Sequence, residues 1–365
     1  MSIDHLVLVG GGHSNVLLLK KWLMKPSLMP NLPISIISRD SYLVYSSMYS
    51  SVISKSIPLS KSLIDISALA KSSKVSFIKD EVCGINFDEN KVFIENRPYI
   101  YYSKLVLNMG MNTLISDEFK DLVDRKIAFT IKPFFASYKF IESEDLHNTE
   151  KELPFVIVGS GLAAVEIAFA LRKRWLKRSI VLVCNFKKLN KKFIKSLKRS
   201  QISLSATLDF NYKRILLCTG NEPHSWIKRN NLDLDRKGRI ITNSELRVND
   251  YKNIFAVGDV NGIHEGVHIA IQQGEIAGFN ACSPDNSKEV DNRLKASVVF
   301  TDPAVASVGL SEKECKATNI DYLVASYPFS DHGKSICLGE TYGHVKILCA
   351  PTTGEVLGGH IVGPE

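Results

Sequence analysis

The sequence has few features of a membrane or secreted protein. No run of about 18 or more apolar residues is uninterrupted, and the nearest candidate, 155–171, contains Ser160 and Glu166. No basic region precedes an apolar run near the first residue, so no secretory signal is predicted. The seven cysteines are scattered and form no CxxC pair, as is typical of free thiols in a reducing compartment. We therefore expect a globular protein of the cytoplasm.

Metal-ligand spacing and, in one long segment, acidic residues are also missing. The histidines show no ligand spacing with cysteines or carboxylates, so no metal site is predicted. Residues 167–208 contain no acidic residue, whereas 172–199 is rich in Lys and Arg. This basic stretch has two open interpretations: a solvated face, or a surface for an anionic partner such as a phosphorylated cofactor, an acidic protein or a membrane. No aromatic residues interleave with it at the spacing of a binding face, so nucleic acid is not expected as a partner.

A glycine-rich turn follows the first apolar run. The run at 5–9 predicts a strand, and the sequence GGGHSN at 10–15 leads into an apolar helix at 16–23. Gly10 permits a tight turn, and Gly12 lets the backbone approach a pyrophosphate at the helix N-terminus. The third glycine of the usual fingerprint is replaced by Asn15, so the match is weak by itself.

A second element, far along the chain, strengthens this match. The segment NIFAVGD at 253–259 predicts a strand that ends in Gly258 and Asp259. Such a strand places a carboxylate where it can accept hydrogen bonds from a sugar-alcohol chain. Because the two signals agree, the pair predicts a flavin site.

A second nucleotide-type opening begins about 150 residues after the first. Residues 154–158 predict a strand, and GSGLAAVE at 159–166 starts a helix, with Ala164 at the position where a small residue allows close packing. No acid stands about 20 residues further on, where Cys184 precedes Lys187. The segment predicts a site for a nicotinamide nucleotide, and the two openings predict an α/β fold.

The pattern changes again near the C-terminal end. Four predicted strands, at 297–300, 322–327, 344–348 and 355–361, indicate an α+β domain with an antiparallel sheet.

These motifs resemble those of the pyridine nucleotide-disulfide oxidoreductase superfamily. NIFAVGDV at 253–260, LVLNMG at 105–110 and ILLCTG at 215–220 are similar to its closing motif and its two crossovers. The opening GGGHSN and SYLVYSSMYSS at 41–51 resemble the NADH-dehydrogenase-like module fused to selenide, water dikinases. SVVFTDPAVASVGLSEKE at 297–314 and GEVLGGHIVGPE at 354–365 resemble the dimerisation domain of dihydrolipoamide and mercuric reductases.

The resemblance implies two doubly wound Rossmann-type dinucleotide-binding domains, the FAD domain being interrupted by the NAD(P) domain, plus a partial α+β dimerisation domain. The expected boundaries are 1–150 and 246–290 for the FAD-binding domain, 151–245 for a short NAD(P)H-binding domain, and 291–365 for an apparently truncated dimerisation-type domain. A homodimer through 291–365 follows as an expectation.

The resemblance also implies site residues. Those expected at FAD are Gly10, Gly12, His13, Ser14, Asn15, Val82, Gly110, Gly258, Asp259 and Gln272. Those expected at NADPH or NADH are Gly159, Gly161, Ala164, Glu166, Lys187 and Gly220. The candidates for a catalytic role beside the flavin are His13, Tyr45 and His268.

The redox dithiol of the superfamily is missing from its usual place. Disulfide reductases carry a CxxxxC pair on the helix after the second strand, but residues 42–51 contain no cysteine. We therefore expect an FAD-dependent NAD(P)H oxidoreductase whose electrons pass to a quinone-like or other diffusible acceptor. Two alternatives stay open: an enzyme like dihydrolipoamide or mercuric reductase that lacks the disulfide, and a non-catalytic flavin-binding module for redox sensing or docking.

Overall fold

The computed structural model describes residues 4–147, 153–189, 191–209, 211–263, 266–291 and 296–364. The strands of this part of the chain are β1 Leu6–Val9, β2 Ile34–Ser38, β3 Tyr42–Val44, β4 Leu63–Asp65, β5 Ser76–Lys79, β6 Val82–Asn86, β7 Lys91–Ile94, β8 Arg97–Tyr101, β9 Lys104–Leu107, β10 Asn112–Thr113, β11 Ala128–Thr130, β12 Phe155–Val158, β13 Ile180–Val183, β14 Ser203–Ser205, β15 Ile215–Leu217, β16 Asn221–Glu222, β17 Ile254–Ala256, β18 Ser297–Val299, β19 Ala304–Gly309, β20 Leu323–Pro328, β21 His344–Cys349 and β22 Val356–Gly363. The α-helices are α1 His13–Met24, α2 Tyr49–Ile53, α3 Ile66–Ser72, α4 Asp117–Asp124, α5 Phe134–Ser143, α6 Leu162–Arg174, α7 Lys191–Arg199, α8 Val267–Asn280, α9 Glu312–Ala317 and α10 Gly333–Leu338.

The first of two compact units spans Met1–Tyr49, Pro58–Leu114 and Asn221–Val290. Its parallel sheet has the order β17-β9-β1-β2-β5, with β1 at the centre. Successive side chains of a strand point to opposite faces. Accordingly Leu6 and Leu8 pack into one apolar cluster with α1 and α8, while Val7 and Val9 pack into a second. A sheet covered on both faces needs strands that are apolar throughout, as β1 is.

The second unit spans Ser50–Ile57, Ile115–Gly220 and Asp291–Glu365. It contains a parallel sheet of order β11-β15-β12-β13-β14 and an antiparallel sheet of order β18-β19-β22-β21-β20. The two parallel sheets confirm the expected pair of Rossmann-type domains. The antiparallel sheet follows the four strands that the C-terminal pattern predicts, with β19 as an additional member.

The expected boundaries at 150 and 245 differ from those of the structure. Residues 115–147 belong with the second parallel sheet, because β11 pairs with β15 at its edge. Residues 221–245 belong with the first unit, where Trp226 and Ile227 are core residues. The sequence motifs locate each glycine turn. They do not locate β11, which precedes the second glycine turn in the chain but belongs to the same sheet.

A helix that crosses a membrane must be about 20 residues long and mostly apolar. Across the residues that the structure describes, no helix is both long and apolar enough to cross a bilayer.

Candidate functional site

The glycine turn after β1 is shaped by its contact with the end of β9. Gly10 has a φ of +93°, and a Cβ there would lie 2.4 Å from the carbonyl oxygen of Asn108. A Cβ on Gly12 would lie 2.3 Å from Oδ1 of the same residue. Both positions therefore require glycine because β9 approaches the turn so closely.

Asn108 is a residue that the sequence analysis did not single out. Its Nδ2 donates to the carbonyl of Val257 (2.9 Å) and to Oγ of Ser14 (3.2 Å), and its Oδ1 accepts from the amide of Asn15 (3.1 Å). One buried side chain thus connects β9, the start of α1 and the end of β17. The only sequence signal for the role of Asn108 was its place in LVLNMG, directly after a predicted strand.

The side chains of Ser14 and Asn15 make contacts within the protein. Both residues are fully buried. Nδ2 of the Asn15 side chain donates to the carbonyls of Gly10 (2.9 Å) and Val9 (3.3 Å). These two side chains brace the turn from inside the protein, and the expected role of the two residues at a pyrophosphate stays a prediction.

The backbone at the start of α1 keeps the capacity to bind an anion. No acidic residue lies in the first turn of α1. The amide N–H groups of His13 and Ser14 have no protein acceptor within the described ranges. Such amides, together with the helix dipole, suit a phosphate group. This end of α1 fits the pyrophosphate of a dinucleotide through backbone groups alone.

The Gly258–Asp259 turn is held by a second residue that the sequence analysis missed. Oε1 of Gln273 accepts from the amide of Gly258 (2.7 Å) and from Nδ2 of Asn261 (3.2 Å). Gln273 is fully buried, and its Nε2 has no hydrogen-bond partner among the residues that the structure describes. Gln272, the residue expected at the flavin, is half-buried beside it. Gln273, which follows Gln272 on α8, is therefore the residue that holds the turn in place.

His13 and Tyr45, two of the three catalytic candidates, lie together. Their ring centroids are 5.2 Å apart in an edge-to-face arrangement, and Nε2 of His13 accepts from the amide of Ser46 (3.4 Å). Burial lowers the pKa of His13 to about 4, although the charge of Asp259 opposes this shift. His13 is therefore neutral at pH 7, with Nδ1 carrying the proton. His268 is exposed on the first turn of α8, and no hydrogen bond or ring contact joins it to His13 or Tyr45 in the described part of the chain.

Two further residues expected at FAD have clear positions. Val82 begins β6 and pairs with Ile94 in the antiparallel sheet β6-β7-β8. Gly110 follows β9 with a φ of +67°, and a Cβ there would meet no atom within 4 Å. Its surroundings are open enough for a ligand.

The second glycine turn repeats the construction of the first. A Cβ on Gly159 would lie 2.3 Å from the carbonyl oxygen of Cys218, the residue after β15, and 3.1 Å from the Cβ of Ala164. Ala164 is fully buried, as the close approach requires. Gly161 and Gly220 face open space, with no atom within 4 Å of an added Cβ. The turn therefore has room for a nucleotide on its outer side.

The end of β13 lies against this second turn. The amide of Asn185 donates to Oγ of Ser160 (2.8 Å), and Oδ1 of Asn185 accepts from the amide of Lys187 (3.0 Å). Cys184, at the position where an acid was expected, is buried, and burial raises the pKa of its thiol. Lys187 is exposed. The place that usually carries a carboxylate therefore carries an uncharged thiol and a nearby ammonium group.

Glu166, a residue expected at the nucleotide, also connects two parts of the second unit. Its Oε1 accepts from the amide of Phe300 (2.8 Å), which links α6 to the residue after β18. Burial raises the pKa of this carboxyl group, opposed by the Phe300 hydrogen bond. The contact makes Glu166 a connection between the nucleotide domain and the antiparallel sheet. Among the described residues, no group of three or more His, Cys, Asp or Glu side chains is arranged to hold a metal ion.

Comparisons with known proteins agree with this architecture. The family profile described as pyridine nucleotide-disulphide oxidoreductase matches residues 181–274, and that of its dimerisation domain matches residues 295–365. Dihydrolipoyl dehydrogenase from Chlamydia trachomatis serovar D is 27% identical over 353 residues, covering 88% of this chain and 72% of the relative. The enzyme of the same name from Chlamydia muridarum is 31% identical over 170 residues, covering 46% of this chain but only 36% of the relative.

Solved structures share the fold as well. The crystal structure of an engineered water-forming NADPH oxidase bound to NADPH superimposes with a TM-score of 0.73 at 18% identity, covering 98% of this chain and 87% of that one.

Proposed function

The chain belongs to the pyridine nucleotide-disulphide oxidoreductase superfamily, which uses FAD and NAD(P)H, and from this premise we propose that it oxidises NAD(P)H and reduces a diffusible acceptor other than a disulfide. The proposal depends mainly on one observation. The segment where a redox dithiol would stand contains Tyr45 and Ser46, and both contact His13 at the start of α1. We take the acceptor to be flat and quinone-like, since such a molecule can stack on an aromatic side chain.

The residues of the first unit fit FAD. When bound, FAD supplies a flavin that accepts a hydride and releases electrons. The amides of His13 and Ser14 would hold the pyrophosphate, and Asp259 would accept hydrogen bonds from the sugar-alcohol chain. The buried Asn108 and Gln273 fix the backbone around these groups, so that they are positioned before the cofactor arrives.

The cysteines support an acceptor that is not a disulfide. All seven are free. Cys218 is buried, and burial raises the pKa of its thiol to about 12, so it does not form the thiolate that disulfide exchange requires. Cys83 and Cys337, which are exposed, lie in different compact units. Free thiols also agree with our proposal that the protein works in a reducing cytoplasm.

A second candidate function comes from the relatives themselves. Their name, dihydrolipoyl dehydrogenase, favours a disulfide or dithiol substrate. The enzyme would then need a dithiol beside the flavin, and residues 42–51 have none. The non-catalytic module is a third reading, and it predicts a bound flavin that NAD(P)H leaves unreduced.

The test is an anaerobic titration of the FAD-loaded protein with NADPH and NADH, followed by turnover with an acceptor panel. We expect the flavin absorbance to bleach, and turnover with a soluble quinone or ferricyanide to exceed turnover with lipoamide or glutathione disulfide. Tyr45→Ala should raise the KM for the quinone without slowing flavin bleaching, whereas Tyr42→Ala, a change at an exposed tyrosine of the same segment, should alter neither. Turnover that requires a disulfide and disappears after thiol alkylation would favour the second candidate.

A further inference from the structure

The segment Arg174–Arg178 reverses the usual distribution of apolar and charged side chains. Arg178 is 1% exposed and Arg174 is 9% exposed, whereas Leu176, between them, is 74% exposed. Lys177 is also exposed. Arginines are almost never fully buried unless they are paired, and leucine belongs among the residues most often buried. The burial of the two arginines has a structural cause, whereas the exposure of Leu176 requires a separate explanation.

Ion pairs explain the buried arginines. Arg174 donates to both carboxylate oxygens of Asp145 at 2.7 Å and to the carbonyl of Ile53 at 2.9 Å. Arg178 donates to Oε2 of Glu144 at 2.8 Å. Although burial opposes it, hydrogen bonds from Arg174 and from neighbouring donors hold the pKa of Asp145 well below its usual range. These two arginines are structural, so the interpretation of the whole stretch 172–199 as one basic face is wrong for them.

Four exposed cations of the stretch lie at or just after the C-terminal ends of α6 and α7. The guanidinium of Arg172 donates to the carbonyl of Leu176 and to the carbonyl of Gln201, each at 3.0 Å. This side chain therefore holds the turn after α6 against the turn after α7. We call the exposed residues at these two helix ends the corner cluster: Lys173, Leu176, Lys177, Lys198 and Arg199.

The cations of the corner cluster have no ion-pair partner among the residues that the structure describes. Within the described ranges, no carboxylate lies in salt-bridge distance of Lys173, Lys177, Lys198 or Arg199. A second exposed leucine lies nearby: Leu146 is 89% exposed and follows Asp145, whose carboxylate accepts from Nε1 of Trp175 at 2.9 Å. Two exposed leucines thus belong to the same part of the second unit as four cations that have no carboxylate partner among the described residues.

We propose that the corner cluster binds the surface of an anionic lipid bilayer, so that the protein associates peripherally with membranes. Phosphate headgroups would neutralise the lysines and Arg199, while Leu176 and Leu146 would enter the boundary between headgroups and acyl chains. An acidic protein would explain the cations but gives no reason for the exposure of Leu146 and Leu176. The inference does not depend on the identity of the electron acceptor.

Flotation of the full chain with lipid vesicles tests the proposal. We expect binding to vesicles of phosphatidylcholine mixed with phosphatidylglycerol, weak binding to phosphatidylcholine alone, and loss of binding at high salt. Since each basic residue near an anionic surface strengthens binding about fivefold, the variant K173E/K177E/K198E/R199E should bind at least about tenfold more weakly. Leu176→Glu should also weaken binding.

Matched variants control for net charge and for folding. K20E/K61E/K71E/K79E makes the same charge change at exposed lysines of the first unit, and Met24→Glu changes an exposed apolar residue there; both should bind as the unaltered protein does. Circular dichroism of each variant verifies its fold. The proposal fails if the unaltered chain does not float with anionic vesicles, or if the control variant loses as much binding as the corner variant. Retention on immobilised polyglutamate without vesicle binding would overturn it in favour of an acidic protein.

Discussion

At the scale of single residues, buried amide side chains organise the first nucleotide turn more than the motif residues do. Asn108 binds backbone groups of Asn15 and Val257, which lie far apart in the chain, and Gln273 binds the backbone of Gly258 and the side chain of Asn261. Their hydrogen bonds satisfy groups that would otherwise be buried without partners, which costs about 1–3 kcal/mol for each group. The exposed surface of the turn can therefore consist of backbone amides and one carboxylate, Asp259.

The carboxylate of Asp259 gives a direct test of FAD binding. Removal of its charge-assisted hydrogen bonds by Asp259→Ala should weaken FAD retention by about 1.5–3 kcal/mol, which is roughly ten- to a hundredfold in Kd. Quenching of flavin fluorescence during titration of the apoprotein measures this change. Asp250→Ala, at an exposed aspartate of the same unit, should leave the Kd unchanged. Equal affinity of all three proteins for FAD would contradict the assigned role.

His13 predicts a pH dependence of stability. Its pKa is about 4 in the folded protein against about 6.5 for an ordinary histidine, so the unfolded chain takes up the proton first as the pH falls. Stability is therefore lost between about pH 6.5 and pH 4, by about 1–3 kcal/mol, and no further below that window. His13→Gln should lack this component. Urea unfolding at pH 7 and pH 4.5 measures it, and an equal acid loss in the two proteins would count against the burial of a neutral imidazole.

At the scale of elements, both parallel sheets use the same strand–turn–helix construction. In each, the first turn glycine abuts the residue directly after the neighbouring parallel strand, Asn108 after β9 and Cys218 after β15. The two turns differ in what surrounds the end of the next strand. After β13, Asn185 contacts the glycine turn through Ser160, and Lys187 follows in the loop. This arrangement bears on the choice between NADH and NADPH.

Lys187 should favour NADPH. A carboxylate after β13 would repel a 2′-phosphate, whereas an exposed ammonium group attracts it. We expect NADPH to be used at least as well as NADH, and Lys187→Glu to raise the KM for NADPH about five- to tenfold with little effect on NADH. Lys195→Glu, on α7, serves as the control of equal charge change. A strong preference for NADH that Lys187→Glu leaves unaltered would contradict this prediction.

At the scale of the whole molecule, the antiparallel sheet carries an apolar edge that the single chain leaves exposed. All six residues of β20 are exposed, among them Leu323 at 59% and Tyr327 at 52%. Exposed apolar surface of this kind marks sites of protein association. The sheet lies within the region that matches the superfamily's dimerisation domain.

We expect a homodimer in solution through this sheet. L323E/Y327E should place charges in the buried interface and shift the sedimentation coefficient from that of a dimer towards that of a monomer. Ile241→Glu, at an exposed isoleucine of the first unit, should have no such effect. Analytical ultracentrifugation over a range of concentrations makes the measurement. A monomer at every concentration for the unaltered chain would refute the prediction.

The sequence by itself determined the two nucleotide domains and the missing dithiol. Glycine turns between an apolar strand and a helix are local signals, since the residues that need glycine lie next to those that form the strand and helix. Only the tertiary structure decided which distant residues these side chains contact. Ser14, Asn15 and Glu166 match the motifs, and their side chains contact Asn108, Gly10 and Phe300. The contacts of Ser14 with Asn108 and of Glu166 with Phe300 join residues 94 and 134 positions apart, and the partners of a side chain at such separations depend on how the sheets assemble. The same holds for the basic stretch, where Arg174 and Arg178 became buried because Glu144 and Asp145, outside it in the sequence, lie beside them in the fold.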